Sequence, residues 1–253
     1  MPSSENNVIG IHPVTELIRQ RPDSIQQLII LAGRTDKRLG KVLEKASELQ
    51  IPTDELSRKE MDQRFGGVHQ GVVAICSFSS STKSEKDLVV ILDGLDRPPL
   101  LLILDGITDP HNLGACLRTA DAAGVDAVIV PKDKSAPLNA TVRKVASGAA
   151  ESINLITVTN LVRCLQSLQE RGIWLVGTAD GTGKNLFEQD LTGPIALVMG
   201  SEGSGLRRLT RECCDFVVAI PMEGSVSSLN VSVATGVALF EASRQRSTAK
   251  PLK

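Results

Sequence analysis

With 253 residues, 42% of them hydrophobic, the chain can bury the core of one large domain or two modest ones, which excludes global disorder. A formal net charge of −1 gives no bulk attraction to nucleic acid. The absence of Tyr, beside one Trp and five Phe, leaves too few aromatics to recognise RNA by base stacking. Recognition of a polar partner then falls to shape, charge and hydrogen bonding.

The N-terminus has no basic stretch followed by an apolar one, and no apolar run approaches the roughly 18 residues of a spanning helix. A soluble, cytoplasmic protein without membrane contact is expected. The five cysteines, Cys76, Cys116, Cys164, Cys213 and Cys214, are odd in number and form no C-x-x-C pair. Most lie in apolar runs, as buried free thiols do. His12, His69 and His111 are too scattered for a zinc site, so no metal is expected.

In chain order, residues 8–78 form a compact α/β unit. Val8–Gly10 is a short strand, Pro13–Gln20 a helix, Leu28–Leu31 a buried strand, Asp36–Gln50 an amphipathic helix and Val72–Phe78 a closing strand. The second helix carries an apolar stripe of Leu39, Val42, Leu43, Ala46 and Leu49. Beside it runs a basic stripe of Arg34, Lys37, Arg38, Lys41 and Lys45, which is either a solvated face or a ridge for phosphates. In the turn Phe65–Gly71, His69 and Gln70 are candidate RNA contacts, with a satisfied loop histidine as the alternative. Hydroxylic residues from Ser77 mark a linker, with a short helix over Leu88–Leu95 and a boundary at Arg97-Pro-Pro99.

From Leu100 the texture changes. Buried strands are expected at Leu100–Leu104, Ala127–Val130, Leu155–Val158, Trp174–Gly177, Ile195–Met199 and Phe216–Ile220, with helices such as Leu161–Arg171 and Leu206–Cys213 between most of them. This alternation predicts a mostly parallel sheet covered on both faces, with ligands beyond the carboxyl ends of its strands. Three polar stretches fall at such ends. In Leu104–Asp121, Asn112 and Arg118 are six apart. They would diverge by about 120° on one helix, so they converge only if Asn112 lies in the loop and the helix starts near Leu113 or Gly114. Arg118, after small and apolar residues, should be partly buried, with an ion pair to Asp109 or Asp121 as the plain alternative.

Met199–Gly205 spaces its glycines as G-x-x-G-x-G and follows a late strand, which argues against a dinucleotide fingerprint. Gly177–Asn185 fails as a phosphate loop, with Thr178 and Asn185 at positions that need Gly and Ser or Thr. In Ala219–Ser232, Pro221 ends a strand and a small-residue loop feeds a helix from about Ser228 to Arg246, where unpaired N–H groups cradle a ligand. Ser228 and Asn230 stand beside Leu229 and Val231, which suits a neutral or zwitterionic ligand; an ordinary N-cap is the competing account.

Asp109-Pro-His-Asn-Leu-Gly114 with Arg118, Val198-Met-Gly-Ser-Glu-Gly203 with Gly205-Leu206, and Ile220-Pro-Met with Ser228-Leu-Asn-Val-Ser232 occur in that order. Carrying them, the chain resembles the SpoU/TrmH-type RNA 2′-O-methyltransferases of the SPOUT superfamily. Gly10-Ile-His12 and Val68-His-Gln-Gly71 extend the likeness to the N-terminal part. The resemblance implies a SPOUT parallel-sheet α/β domain with a deep trefoil knot over 98–253. It also implies a small α/β RNA-binding domain of ribosomal-protein-like type over 1–78, a linker over 79–97 and a homodimer. The implied cofactor is S-adenosylmethionine, held by backbone groups at Gly200, Ile220 and Leu229.

The implied reaction methylates a ribose 2′-hydroxyl of a guanosine in the peptidyl-transferase P loop of 23S rRNA. The same chemistry on tRNA or another rRNA nucleotide, or a non-catalytic RNA-binding or assembly role, are the alternatives. Arg118 is the implied central catalytic residue, surrounded by Asn112, Glu202, Ser228 and Asn230. A guanidinium with a pKa above about 12 is a poor base, so Arg118 is expected to clamp a phosphate while Asn230 and Ser228 orient the sugar. Glu202 is expected to hold Arg118 or nearby backbone.

Overall fold

The computed structural model describes residues 7–34, 36–66, 69–76, 82–182 and 184–249. The chain forms two compact units, Met1–Ser81 with Pro137–Ser152, and Thr82–Ala136 with Ile153–Lys253.

The chain opens with β1 (Asn7–Ile9), α1 (Ile11–Gln20), β2 (Ile25–Leu31), α2 (Lys37–Glu48), β3 (Thr53–Leu56), α3 (Arg58–Phe65) and β4 (Val72–Cys76). It continues with α4 (Glu85–Asp93), β5 (Leu100–Asp105), α5 (Pro110–Ala122) and β6 (Ala127–Pro131). Next come two short helices of the first unit, α6 (Ala140–Ala146) and α7 (Ala149–Ser152). β7 (Leu155–Val158), α8 (Leu161–Glu170), β8 (Trp174–Thr178), β9 (Ile195–Gly200), α9 (Arg208–Cys213), β10 (Phe216–Val218) and α10 (Val231–Ala249) complete the second unit.

In the first unit a four-stranded sheet of order β1-β4-β2-β3 packs on α1 and α2. Leu39, Val42 and Ala46 are the buried stripe of α2, joining Val8, Leu17, Leu28 and Val72 in one core. Asp36 caps that helix, its carboxylate accepting from the backbone N–H of Arg38 (3.0 Å) and Leu39 (3.1 Å). β3 and α3 add to the elements expected. Thr53–Leu56 is a polar edge strand without alternation, and α3 buries only Met61, so neither leaves a periodic trace. A Ser57–Glu60 capping box starts α3 instead.

α6 and α7 carry a buried ion pair, Arg143 Nη1 to Glu151 Oε1 at 2.5 Å. Arg21 lies 3.9 Å from the same carboxylate.

The second unit is built on a wholly parallel six-stranded sheet of order β10-β8-β9-β5-β6-β7. All six residues of β5 are buried, as expected of a central strand covered on both faces. Part of the expected linker is ordered here: α4 starts at Ser84 with a capping box and seats Leu88 in the core. The Ser77–Ser81 stretch lies outside the described residues, as do Gly67 and Val68. Arg246, near the end of α10, donates to the carbonyls of Pro98 (3.0 Å), Pro99 (2.9 Å), Leu191 (3.1 Å) and Gly193 (2.5 Å). Four carbonyl partners serve in place of a carboxylate and fix the helix against the sheet.

Because the sheet is parallel, the loops after β5, β8, β9 and β10 leave from one edge. β9 and β5 are neighbours in register, Gly200 facing Asp105. The glycine-rich turn and the stretch leading to Asn112 therefore start side by side.

Candidate active site

At that edge the loops after β8, β9 and β10 enclose a cavity of about 630 Å³, within the usual range for a small-molecule site. Gly200, Glu202, Ile220, Ser228, Leu229 and Asn230 line it, as do Met199 and Met222, which stand in the motifs without an assigned role, and Thr178, Asp180 and Arg211, which stand outside them.

The wall after β9 is a tight turn. Ser201 and Gly205 exchange backbone hydrogen bonds of 3.1 and 2.9 Å. A Cβ on Gly200 would overlap the Gly205 carbonyl carbon, so only glycine permits the turn to close. Asp105, fully buried at the end of β5, holds this wall. Its carboxylate accepts from the Arg207 N–H at 3.1 Å and from Arg207 Nε at 2.5 Å. An acidic residue ending the apolar run Leu100–Leu104 was the available signal, since a buried carboxylate needs partners.

The opposite wall is the start of α10. This helix begins at Val231, later than the expected Ser228, and Asn230 is its cap. Asn230 Oδ1 accepts from the Ser232 N–H (2.9 Å) and Ser232 Oγ (2.6 Å). The amide is thereby turned so that Nδ2 donates to Asn112 Oδ1 at 3.1 Å and also to Glu202. Capping and site geometry belong to one side chain. Asn230 lies 118 residues from Asn112 and 28 from Glu202 in the chain, yet the three meet at the cavity edge.

Asn112 reaches this point from a helix, so the condition for its convergence with Arg118 is not met. It lies within α5, which starts at Pro110 under the Asp109 cap (Asp109 Oδ1 to His111 N–H, 2.8 Å), not in a preceding loop. Asn112 and Arg118 therefore share one helix and do diverge. Arg118 is about 9 Å further along the axis and about 120° around it. It is exposed, does not line the cavity, and has no ion pair among the described residues. Neither partial burial nor pairing with Asp109 holds, and Glu202 holds Asn230 rather than Arg118.

Burial pushes Cys76, Cys164 and Cys214 up to about 12 and Cys116 up to about 11, and thiolates, not thiols, are nucleophiles.

On the first unit, the basic stripe of α2 resolves into two kinds of residue. Arg34 donates to the Gln70 carbonyl and to Asp36, and Lys45 is 2.8 Å from Glu48. Lys37, Arg38 and Lys41 are exposed and have no ion pair among the described residues. His69 is buried: its Nδ1 accepts from the Gly71 N–H at 2.9 Å, so Nε2 carries the proton toward Asp62, 3.1 Å away. Gln70 Oε1 accepts from the first N–H of α1, at Ile11 (3.3 Å). Both are structural parts of the turn.

A parallel-sheet unit with its cavity walled by a glycine turn and an asparagine-capped helix is the SpoU type of RNA methylase. The chain belongs to the SpoU rRNA Methylase family, whose sequence profile matches residues 99–240. A second profile, RNA 2′-O ribose methyltransferase substrate binding, matches residues 8–82.

The 23S rRNA (guanosine-2′-O-)-methyltransferase RlmB of Pseudomonas aeruginosa is 59% identical over 244 residues, covering 96% of this chain and 98% of that one. The enzyme of the same name from Escherichia coli is 55% identical over 241 residues, covering 95% and 98%. Among solved structures, the SpoU methyltransferase AviRb of Streptomyces viridochromogenes, in complex with AdoMet, superposes with a TM-score of 0.80. It is 26% identical, over 96% of this chain and 90% of its own. No helix among the described residues is long and apolar enough to cross a membrane.

Proposed function

We propose that this protein transfers a methyl group from S-adenosylmethionine to the ribose 2′-hydroxyl of a guanosine in 23S rRNA, within the peptidyl-transferase P loop. The observation that carries this is the joining of Asn112, Glu202 and Asn230 at the rim of the cavity. The 23S rRNA (guanosine-2′-O-)-methyltransferases of Pseudomonas aeruginosa and Escherichia coli are 59% and 55% identical over nearly the whole chain.

The cavity fits the cofactor. Among the described residues the backbone N–H and C=O groups of Ile220 and Leu229 make no hydrogen bond, although both residues line the cavity. Backbone groups not spent on the protein's own hydrogen bonds can serve a ligand there. Gly200, whose missing side chain lets the turn close, lines the cavity beside them. When bound, S-adenosylmethionine supplies an electrophilic methyl on a sulfonium.

The chain's own residues do the positioning. Asn112 and Glu202 hold the Asn230 amide in one orientation, and the exposed Ser228 hydroxyl stands at the rim, where these groups orient the ribose. Arg118, exposed and without an ion pair among the described residues, clamps a phosphate beside that ribose. The hydroxyl proton leaves through that phosphate or a water, not through the guanidinium.

The proposal extends to a trefoil knot around the cavity, to a homodimer and to a cytoplasmic location. Val233 and Phe240, seven residues apart on one face of α10, are 51% and 53% exposed. Apolar side chains so placed suit a second copy, and α5, which bears Arg118, packs beside that helix.

The test is transfer of labelled methyl to 23S rRNA from cells lacking the enzyme, followed by mapping of the nucleotide. Label in tRNA overturns the substrate, and no label anywhere overturns the activity. Arg118→Lys keeps the charge and loses the fork; near-full activity on RNA with unchanged cofactor binding sinks the clamp.

A further inference from the structure

Among the described residues, three charged ones line the cavity: Asp180, Glu202 and Arg211. Glu202 is engaged by Asn230. Arg211, on α9, and Asp180, in the loop after β8, are exposed and have no ion pair among the described residues. Among the described residues, a guanidinium and a carboxylate thus line the cavity without an ion-pair partner, beside the Glu202 carboxylate that the Asn230 amide engages. Arg211 and Asp180, one charge of each sign outside any ion pair, are complementary to a zwitterion.

We propose that Arg211 and Asp180 form the subsite for the amino-acid head of the cofactor, the Arg211 guanidinium taking the α-carboxylate and the Asp180 carboxylate taking the α-ammonium. This rests on the S-adenosylmethionine reading of the cavity. It divides the ligand between two kinds of recognition. Backbone groups at Gly200, Ile220 and Leu229 receive the uncharged nucleoside part, and two side chains select for an attached amino acid. The planar fork of arginine matches a carboxylate in two parallel hydrogen bonds.

The subsite also accounts for the position of α9. The Asp105–Arg207 contact fixes the residue that precedes this helix. Arg211 follows Arg207 by one turn, with its N–H bonded to the Arg207 carbonyl at 2.9 Å. The buried pair therefore sets the origin from which the Arg211 side chain extends.

Calorimetric titration of the full chain tests this without turnover. The probes are S-adenosylhomocysteine, which carries the amino-acid head, and 5′-methylthioadenosine, which lacks it. The wild type should bind the first more tightly. Arg211→Gln should weaken S-adenosylhomocysteine roughly ten- to a hundredfold, the span of a hydrogen bond to a charged group. The affinity for 5′-methylthioadenosine should stay within about twofold, which also shows that the cavity remains folded. Asp180→Asn should act in the same direction.

Equal affinity of the wild type for both probes overturns the subsite, as does unchanged binding of S-adenosylhomocysteine by Arg211→Gln. Loss of both probes together means a collapsed cavity and likewise removes the assignment. If Arg211→Gln instead weakens only an rRNA fragment, the guanidinium serves an RNA phosphate. Failure of the wild type to bind either probe counts against the cofactor reading itself.

Discussion

Asp105 and Arg207, 102 residues apart, are joined through both carboxylate oxygens: Oδ2 accepts the Arg207 backbone N–H and Oδ1 its Nε. The two ends of this contact differ in their access to water. Asp105 is fully buried, whereas the Arg207 side chain is 42% exposed. Arg207→Ala strands a buried charge, which should cost about 3 kcal/mol. Asp105→Asn leaves a guanidinium that water can solvate and an acceptor for the N–H, and should cost about 1 kcal/mol. Urea unfolding of the two variants gives the order, and a costlier Asp105→Asn contradicts the buried-charge argument.

Gly200 and Gly203 belong to the same turn and should respond very differently to alanine. A Cβ on Gly200 overlaps the backbone of Gly205 and Leu206, atoms that no rotamer change can move. Gly203 has φ +79° but open space around it, so alanine there costs only about 1 kcal/mol of backbone strain. Gly200→Ala should weaken S-adenosylhomocysteine on the order of a hundredfold, and Gly203→Ala only severalfold. Similar losses in the two titrations would show that the turn tolerates repacking.

Asn230 permits helix capping to be separated from site chemistry. Its Oδ1 caps α10 while its Nδ2 faces Asn112 and Glu202. Asn230→Asp retains an acceptor for the cap but turns a second oxygen toward two acceptors. Asn230→Ala removes both functions and should lower stability by about 1 kcal/mol. Methyl transfer should fall steeply in both variants, while the aspartate variant keeps a melting temperature near that of the wild type. If the aspartate variant remained active, the donor role of Nδ2 would be disproved.

The strands of the second unit were legible because each is dominated by apolar residues, and the six expected ones all occur within a few residues of their observed ends. β3 and α3 were not legible because a polar edge strand and a helix with one buried residue carry no period. In the site, the residue types stood in the sequence but their directions did not. Helical geometry set Asn112 and Arg118 about 120° apart on one helix; whether Asn112 stood on that helix or in the loop before it was left open by the sequence. The Asp109 cap and Pro110 start the helix earlier, and Asn112 meets Asn230 instead. Arg211 and Asp180 belong to no motif, and only the folding of three loops around one cavity brings them into view.

The basic ridge of α2 should divide in the same way as its contacts. Arg38 and Lys41 are exposed, three residues apart on one face, and have no ion pair among the described residues. Arg34 is tied to the Gln70 carbonyl and to Asp36, the residue that caps the helix. If the ridge meets RNA phosphates, Arg38→Gln and Lys41→Gln should each reduce the salt dependence of rRNA binding by about one unit of log–log slope, with unchanged thermal stability. Arg34→Gln should instead lower the melting temperature, because the turn at Gln70 and the cap at Asp36 lose a shared partner. Filter binding across a salt series, beside thermal melts, separates the two. An unchanged slope in Arg38→Gln and Lys41→Gln would return the stripe to a merely solvated helix face.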